Sequence, residues 1–469
     1  MKFGGTSVKD AACIRNAAAV AKQLHDQGTQ VVVVTSARAG VTDRLVSLVR
    51  PHQVDPAGEA ERLADFFRST RQLEEEHLAV ARDAIRNPLL VDEVAKALYS
   101  ERTALERVLL GSHLLGEMTP IGHDVVVSAG ERLCVPLLVN CLRDLGVDAL
   151  GVMGDECGIV TDNNYGRAQP LDDPTREGVR RAMLPMLEAG RLPVVTGFYG
   201  RSEQGRIAIL GRGGSDYSAT LIGCALDCDE IWILKEVDGI QTTDPRLVPT
   251  ARTLPEVSYL IAAEMSQLGA KVLHPRSILP ALRQNVPLRI ANSFRTDLPG
   301  TRLVAARPDQ PPGVTALSLV RGGGLVRAVA SELGSEDVVD FRLTRDLRDA
   351  NVEVLASAVG LNAGSVLWLL GKDELGRFLP LLERYRAGHF EIETARQAAI
   401  VGIVGNNAAT APGIHHTVAR CLDEVGVQAL ATLSGASPNS IVLALPDDQN
   451  QLTQTMQLLH ARLVSSIAS

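Results

Sequence analysis

Apolar positions follow two spacings along this chain. Short unbroken or alternating runs at Val31–Val34, Val125–Val127, Leu192–Thr196, Arg206–Leu210 and Glu230–Leu234 predict strands of a buried sheet. Between them, Ile14, Ala18, Val20 and Leu24, and then Ala219, Leu221 and Ile222 toward Leu226, recur at helical spacing. This alternation continues through Asn292 and predicts an α/β domain with a largely parallel sheet. From residue 51 to about 120 apolar residues at helical spacing alternate with charge: Leu63, Phe66, Phe67, then Leu78, Ile85, then Val91, Val94, Leu98, then Leu105, Leu109. A helical insertion of several segments is expected there, with charge runs such as Glu74–Glu76 as solvated faces. Residues 301–313, with Pro308, Pro311, Pro312 and Gly313, read as a linker. Beyond it, strand-like runs at Val314–Val320 and Ala399–Val404 open two short β/α repeats. The second is the clearer, with a helix to Gly426 and strands over Val427–Leu433 and Ser440–Leu443.

Composition narrows the class. The 469 residues, 45% hydrophobic and 22% charged, describe a globular chain of two to four domains. A net charge of −8 and 3% aromatic residues argue against nucleic acid as a partner. With no apolar run of membrane-spanning length and no signal peptide, the expected address is cytoplasmic, without membrane association. The seven cysteines form no C-x-x-C pair and read as reduced core thiols, and the histidines form no H-x-x-x-H pair, so no metal site is expected.

Chemistry concentrates at Leu210–Thr220. Gly211, Gly213 and Gly214 permit a tight backbone path and close approach of amides to an anion. Ser215 and Asp216 read as caps of the following helix, so strand, glycine turn and helix start succeed one another as at phosphate sites. The G-x-x-x-x-G-K-[ST] spacing is absent, and a ligand-free glycine turn is the competing reading. At the start of the chain, Lys2 stands beside Gly4, Gly5, Thr6 and Ser7 ahead of a helix, a pattern suited to phosphate or carboxylate. One residue precedes Lys2, leaving little strand to hold it, so a misassigned or shortened start is expected. The hydroxyl-rich loop Thr35–Thr42 follows a strand where open α/β sheets place ligands. Glu131 falls in a first helical turn, either complementing the helix dipole or holding a substrate ammonium.

Taken jointly, Lys2–Val8, Gly130–Glu131, Leu210–Asp216, Val237–Gly239 with Thr243–Arg246, and Gly269–Pro275 strongly resemble the aspartokinases. The resemblance implies an amino-acid kinase fold over residues 1–300, with the helical insertion at about 51–120 and the linker at 301–313. Two ferredoxin-like (βαββαβ) ACT domains would follow at 314–395 and 396–469, with interleaving of the two left open. It further implies ATP with Mg²⁺, and phosphorylation of the L-aspartate β-carboxylate to 4-phospho-L-aspartate on the route to lysine, threonine and methionine. By resemblance, Lys2 and Lys271 stabilise the phosphates, and Asp216 holds lysine ammonium groups. Arg212 pairs with the substrate α-carboxylate, Glu131 with its ammonium, and Thr42 and Ser215 line the aspartate pocket. Gly4, Gly5 and Gly213 give amides to phosphate, while Lys235, Glu236, Gln241 and Arg246 border the nucleotide. Gln241 stands where family members commonly carry tyrosine, and Lys235–Glu236 replaces a frequent Thr-Asp pair. ACT pairs imply a homodimer or higher oligomer inhibited by an end-product amino acid, lysine or threonine. Asn351–Leu355 lacks the aspartate often found there, and Gly322–Gly324 loosens the first repeat, so a regulatory pair that only dimerises stays open. So does a catalytically silent amino-acid sensor on the kinase scaffold. No dinucleotide fingerprint follows, and no fused homoserine dehydrogenase is expected.

Overall fold

The structure is a computed structural model that describes residues 1–49, 59–270, 273–306, 311–330, 343, 346–347, 350, 352–360, 365–384, 390–435 and 437–464. The chain divides into two units, Met1–Ile240 with Arg276–Ala305, and Gln241–Pro275 with Ala306–Ser469.

The first unit begins with β1 (Lys2–Phe3), α1 (Ala11–Asp26), β2 (Val33–Thr35), α2 (Val41–Val49), α3 (Glu59–Ala84), α4 (Pro88–Leu115), α5 (Pro120–Val127) and α6 (Ala129–Asp144). It continues with β3 (Ala149–Val152), β4 (Val160–Thr161), α7 (Asp172–Glu188), β5 (Leu192–Thr196), β6 (Tyr199–Ser202), β7 (Ile207–Ile209), α8 (Gly214–Ala225) and β8 (Ile231–Lys235). After β9 (Glu256–Ser258) and α9 (Tyr259–Gln267) of the second unit, α10 (Pro275–Gln284), β10 (Leu288–Asn292) and β11 (Thr301–Val304) return to the first. Its main sheet runs β3-β5-β2-β1-β8-β10-β11. All pairs are parallel except β10–β11, so β1, β2, β5 and β8 end on one edge, where the loops of interest emerge.

Two residues suffice for β1 because it is central. Lys2 and Phe3 pair with Val34 and Thr35 on one side and with Ile233 and Leu234 on the other, and Phe3 is fully buried. Neighbouring strands supply the hold that the sequence before Lys2 cannot. Residues 301–304, read as the opening of a linker, pair with β10 as β11.

The predicted strand at Val125–Val127 is helix. Thr119 accepts a hydrogen bond from the Gly122 amide with Pro120 in the first turn, a start signal that overrides the β preference of three valines. The stretch Pro120–Asp144 is long and apolar enough to cross a membrane, and 89% of its apolar window is buried inside the protein, as in a core helix. The helical insertion, α3 and α4, packs into this same core through Leu73, Val80, Ala81, Val94, Leu98, Leu105 and Leu109. Its charges are not all solvated: Glu74 and Glu106 bind Arg102, Glu76 binds Arg44 at 2.6 Å, and Glu101 binds Arg132 of α6 at 2.7 Å. Glu75 faces solvent.

In the second unit, β12 (Ala316–Ala330), β13 (Val354–Gly360), β14 (Ser365–Leu370), α11 (Leu375–Glu383), β15 (Phe390–Val404), α12 (Ile414–Val425), β16 (Ala431–Ser434), β17 (Ser440–Leu445) and α13 (Gln449–Leu459) build one antiparallel sheet. Its order is β13-β14-β12-β15-β17-β16. The strands predicted at Val314–Val320 and Ala399–Val404 are ends of much longer ones. β12 and β15 pair with each other along their length, joining two ACT-like halves. Gly322–Gly324 lies inside β12, where Gly322 takes φ +67° at a register shift. Asn351 lies outside the described residues. The cores are separate: Trp368 packs on Phe378 in one, and Val401, Ile403, Val418, Leu443 and Met456 meet in the other.

Candidate active site

The glycine turn forms as its residues dictate. Gly211 at φ +79° and Gly213 at φ +70° occupy the left-handed region, where a side chain would be strained. Gly213 itself is the N-cap of α8 and no side chain caps it. Ser215 and Asp216, expected to be caps, instead lie buried within the first turn. A Cβ on Gly214 would stand 2.7 Å from the Phe198 ring, and one on Gly197 would stand 2.7 Å from Ser215 Cβ. Glycine on each side therefore lets the loop after β5 press directly on the start of α8.

Three charged groups converge there. Asp216 forms an ion pair with Lys2 (2.6 Å) and another with Lys235 (3.5 Å), and Lys2 and Asp216 are both buried. Burial opposes ionisation of Asp216, but the two ammonium groups outweigh it and hold the carboxyl below its ordinary range. Burial, aided by Lys2, lowers the Lys235 ammonium against the pull of Asp216. The trio carries one net positive charge at the ends of β1 and β8, a site suited to an anion.

The neighbouring loops are close-packed. Gly4, expected to give its amide to phosphate, instead donates it to Leu234 O at 3.2 Å, continuing the pairing of β1 with β8, and a Cβ there would lie 3.7 Å from Lys2 Nζ. A Cβ on Gly5 would stand 2.8 Å from Ala37 O, and one on Gly130 would stand 2.7 Å from Ala37 Cβ. Ala37 is thus wedged between the β1 loop and the start of α6, which brings in Glu131. That carboxyl is buried and its Oε2 meets no hydrogen-bond partner among the described residues. Burial pushes it up to about 7, against the amides of Ala37 and Glu131 and the charges of Arg132 and Lys2. An acid so placed is suited to a cationic partner.

The remaining expected residues divide. Thr42 is half-buried in the first turn of α2, and Arg212 is exposed on the glycine turn. Glu236 is exposed just beyond β8. Gln241 and Arg246 belong to the second unit, where Gln241 bridges Thr253 and the exposed Arg246 pairs with Asp244 at 2.7 Å. Lys271 lies outside the described residues. Sequence reading missed Ser293, whose hydroxyl meets Ser7 at 2.9 Å, and Asn292, which binds Asp238 at 2.6 Å behind β8. It also missed Asp124 and Arg276, which brace the glycine turn. Asp124 was hidden beside a stretch read as strand, while Arg276 directly follows the Gly269–Pro275 motif and could have been found by extending it.

Among the described residues no group of three His, Cys, Asp or Glu side chains could hold a metal. The described cysteines are free thiols, buried except for the partly exposed Cys228.

The chain matches the family model described as "Amino acid kinase family" over residues 1–292. It is 31% identical to lysine-sensitive aspartokinase 3 of Escherichia coli, covering 98% of both chains, and 28% identical to aspartokinase 2 of Bacillus subtilis, covering 98% and 96%. The crystal structure of E. coli aspartokinase III in complex with aspartate and ADP superposes with a TM-score of 0.78 at 29% identity over 98% of both chains. The same protein with lysine and aspartate gives the same values. The chain belongs to the amino acid kinase family, among its aspartokinases.

Proposed function

We propose that this chain catalyses ATP-dependent phosphorylation of the β-carboxylate of L-aspartate, giving 4-phospho-L-aspartate. The observation that carries the reading is the buried Lys2–Asp216 pair, joined by the partly exposed Lys235, at the end of the parallel strands beside a glycine turn bearing an exposed arginine. A carboxylate nucleophile, with an ordinary pKa of about 3.9, is ionised at neutral pH and needs no general base. The obstacle is repulsion between two anions, which fixed cations and amides relieve. Lys2 is the cation for the transferring phosphoryl group, and Asp216 fixes both lysines so that neither reorganises during transfer. Lys271 is assigned the same phosphate role from its motif. Arg212 takes the α-carboxylate through a two-pronged pair, and Glu131 takes the ammonium, with Ser215 and Thr42 beside the substrate. The amides of Gly5 and Gly213 face the phosphates, and Lys235 and Glu236 border the nucleotide. A Mg²⁺ ion bound together with the nucleotide would neutralise phosphate charge.

The similarity to a lysine-sensitive relative supports lysine as the effector of the ACT-like unit, acting on a homodimer in the cytoplasm on the route to lysine, threonine and methionine. Trapping the acyl phosphate with hydroxylamine tests the activity. Wild type with ATP, Mg²⁺ and L-aspartate should yield aspartyl hydroxamate, and Lys2→Ala and Asp216→Ala should lose it while keeping the fold. A silent wild type would favour the sensor reading.

A further inference from the structure

Two side chains outside the charge cluster hold the glycine turn from opposite flanks. Asp124 of α5 is fully buried; its Oδ2 accepts the amides of Ile209 and Gly166, each at 2.9 Å, while Oδ1 lies 3.2 Å from His123 Nδ1. Ile209 ends β7 and leads into the turn. Gly166 and Arg167 lie over the turn itself, since a Cβ on Gly211 would stand 3.5 Å from Arg167 Cγ and 3.6 Å from Gly166 O. One carboxylate therefore fixes both the strand that feeds the turn and the loop packed against it.

On the other flank Arg276 of α10 donates Nη1 to Leu210 O (3.0 Å) and Nη2 to Ala168 O (3.2 Å) and Gln169 Oε1 (3.0 Å). Its guanidinium sits 5.2 Å from the Tyr217 ring centroid in the first turn of α8. Next to it, Ser277 Oγ donates to Gly213 O at 3.3 Å. Leu210 O is thus held by a guanidinium, whose charge-assisted hydrogen bonds are stronger than those of a neutral pair. A planar fork spans two carbonyls as a lysine ammonium cannot.

We propose that Asp124 and Arg276 are positioning residues of the reaction: together they fix the backbone from Ile209 to Gly213, and through it the direction in which Arg212 meets the substrate carboxylate. This rests on Arg212 being the carboxylate anchor. Misplacing such a group by about 1 Å costs up to about 100-fold in rate.

The full-length Arg276→Lys and Asp124→Asn variants test the proposal by two independent readouts. Amide hydrogen exchange without substrate should rise about tenfold in a peptide spanning residues 205–217 while that of α6 stays unchanged. The KM for aspartate should rise about tenfold, with kcat and the KM for ATP within about twofold. In an Arg212→Lys background the same substitutions should add less than about threefold, because the group they aim is already impaired. Equal losses in both backgrounds, or faster exchange with an unchanged KM, would overturn the proposal. Exchange in all regions rising together would assign the pair to general stability instead. Because exchange is read without substrate, a wild type inactive on aspartate would refute the assigned activity, while the exchange result would still decide whether the two residues hold the turn.

Discussion

Replacing Glu131 with glutamine should stabilise the substrate-free protein in a pH-dependent way while impairing aspartate binding. Burial raises this carboxyl from its ordinary 4.5 to about 7. Between those values the native protein retains a proton that the unfolded chain has released. Stability therefore falls as pH rises through that window and levels off above about pH 7. At 1.36 kcal/mol per unit, ionised Glu131 costs about 3 kcal/mol above pH 8, of which about 2 kcal/mol accrues between pH 5.5 and 8. Glu131→Gln removes the slope, so its stability relative to wild type should climb by about 2 kcal/mol over that interval. Any constant difference from the new amide cancels. The chain has two tryptophans, so a Trp368→Phe background leaves Trp232 of β8 to report unfolding of the first unit in urea. In the same variant the KM for aspartate should rise at least about tenfold, because the ammonium partner is gone, with the KM for ATP little changed. In wild type that KM should rise as pH falls below 7 and Glu131 takes up its proton. A stability difference that does not move with pH would refute the claim that burial strains this acid, and an unchanged aspartate KM would refute its role.

Further expectations follow from the same geometry. Asp216→Ala leaves the buried Lys2 and the partly exposed Lys235 without their shared partner and should lower stability by about 3–5 kcal/mol, mostly through Lys2; adding Lys2→Met should recover part of that loss by urea titration, and no recovery would contradict the ion-pair account. Gly197→Ala drives a methyl to 2.7 Å from Ser215 Cβ and should cost about 1–3 kcal/mol in thermal unfolding together with a raised KM for aspartate; a neutral effect would mean that the loop is not pressed on α8. Lysine should inhibit initial rates more strongly than threonine or methionine, and failure of all three below millimolar levels would end the proposal of feedback by these amino acids.

The parallel sheet and its site were legible because glycine turns, buried strands and charged residues sit in local patterns. Val33, Val194 and Ile233 announce buried strands, and Gly211 and Gly213 announce a turn that tolerates positive φ. What escaped was set by partners distant in sequence. Val125–Val127 is helix because Thr119 and Pro120 start one and the core accepts valines from it. The hold on Lys2 comes from Val34 and Ile233, far along the chain. The full length of β12 was unreadable through Gly322–Gly324 because pairing with β14 and β15 carries it past those glycines. Among site residues, Lys2, Asp216 and Glu131 could be named from motifs, but that Asp216 joins Lys2 to Lys235 required the parallel register. Asp124 and Arg276 act on backbone groups more than 40 residues away, a relation no local pattern encodes.

The central claim is that an aspartate carboxylate oxygen attacks the terminal phosphorus of ATP. L-Aspartate labelled with ¹⁸O in its β-carboxylate, turned over with ATP and Mg²⁺ and trapped with hydroxylamine, releases phosphate whose ³¹P resonance reports its oxygen isotopes. Attack by the carboxylate predicts one ¹⁸O in each phosphate released through hydroxamate formation. Unlabelled phosphate from the same reaction would mean that water, not aspartate, receives the phosphoryl group, and would contradict the account.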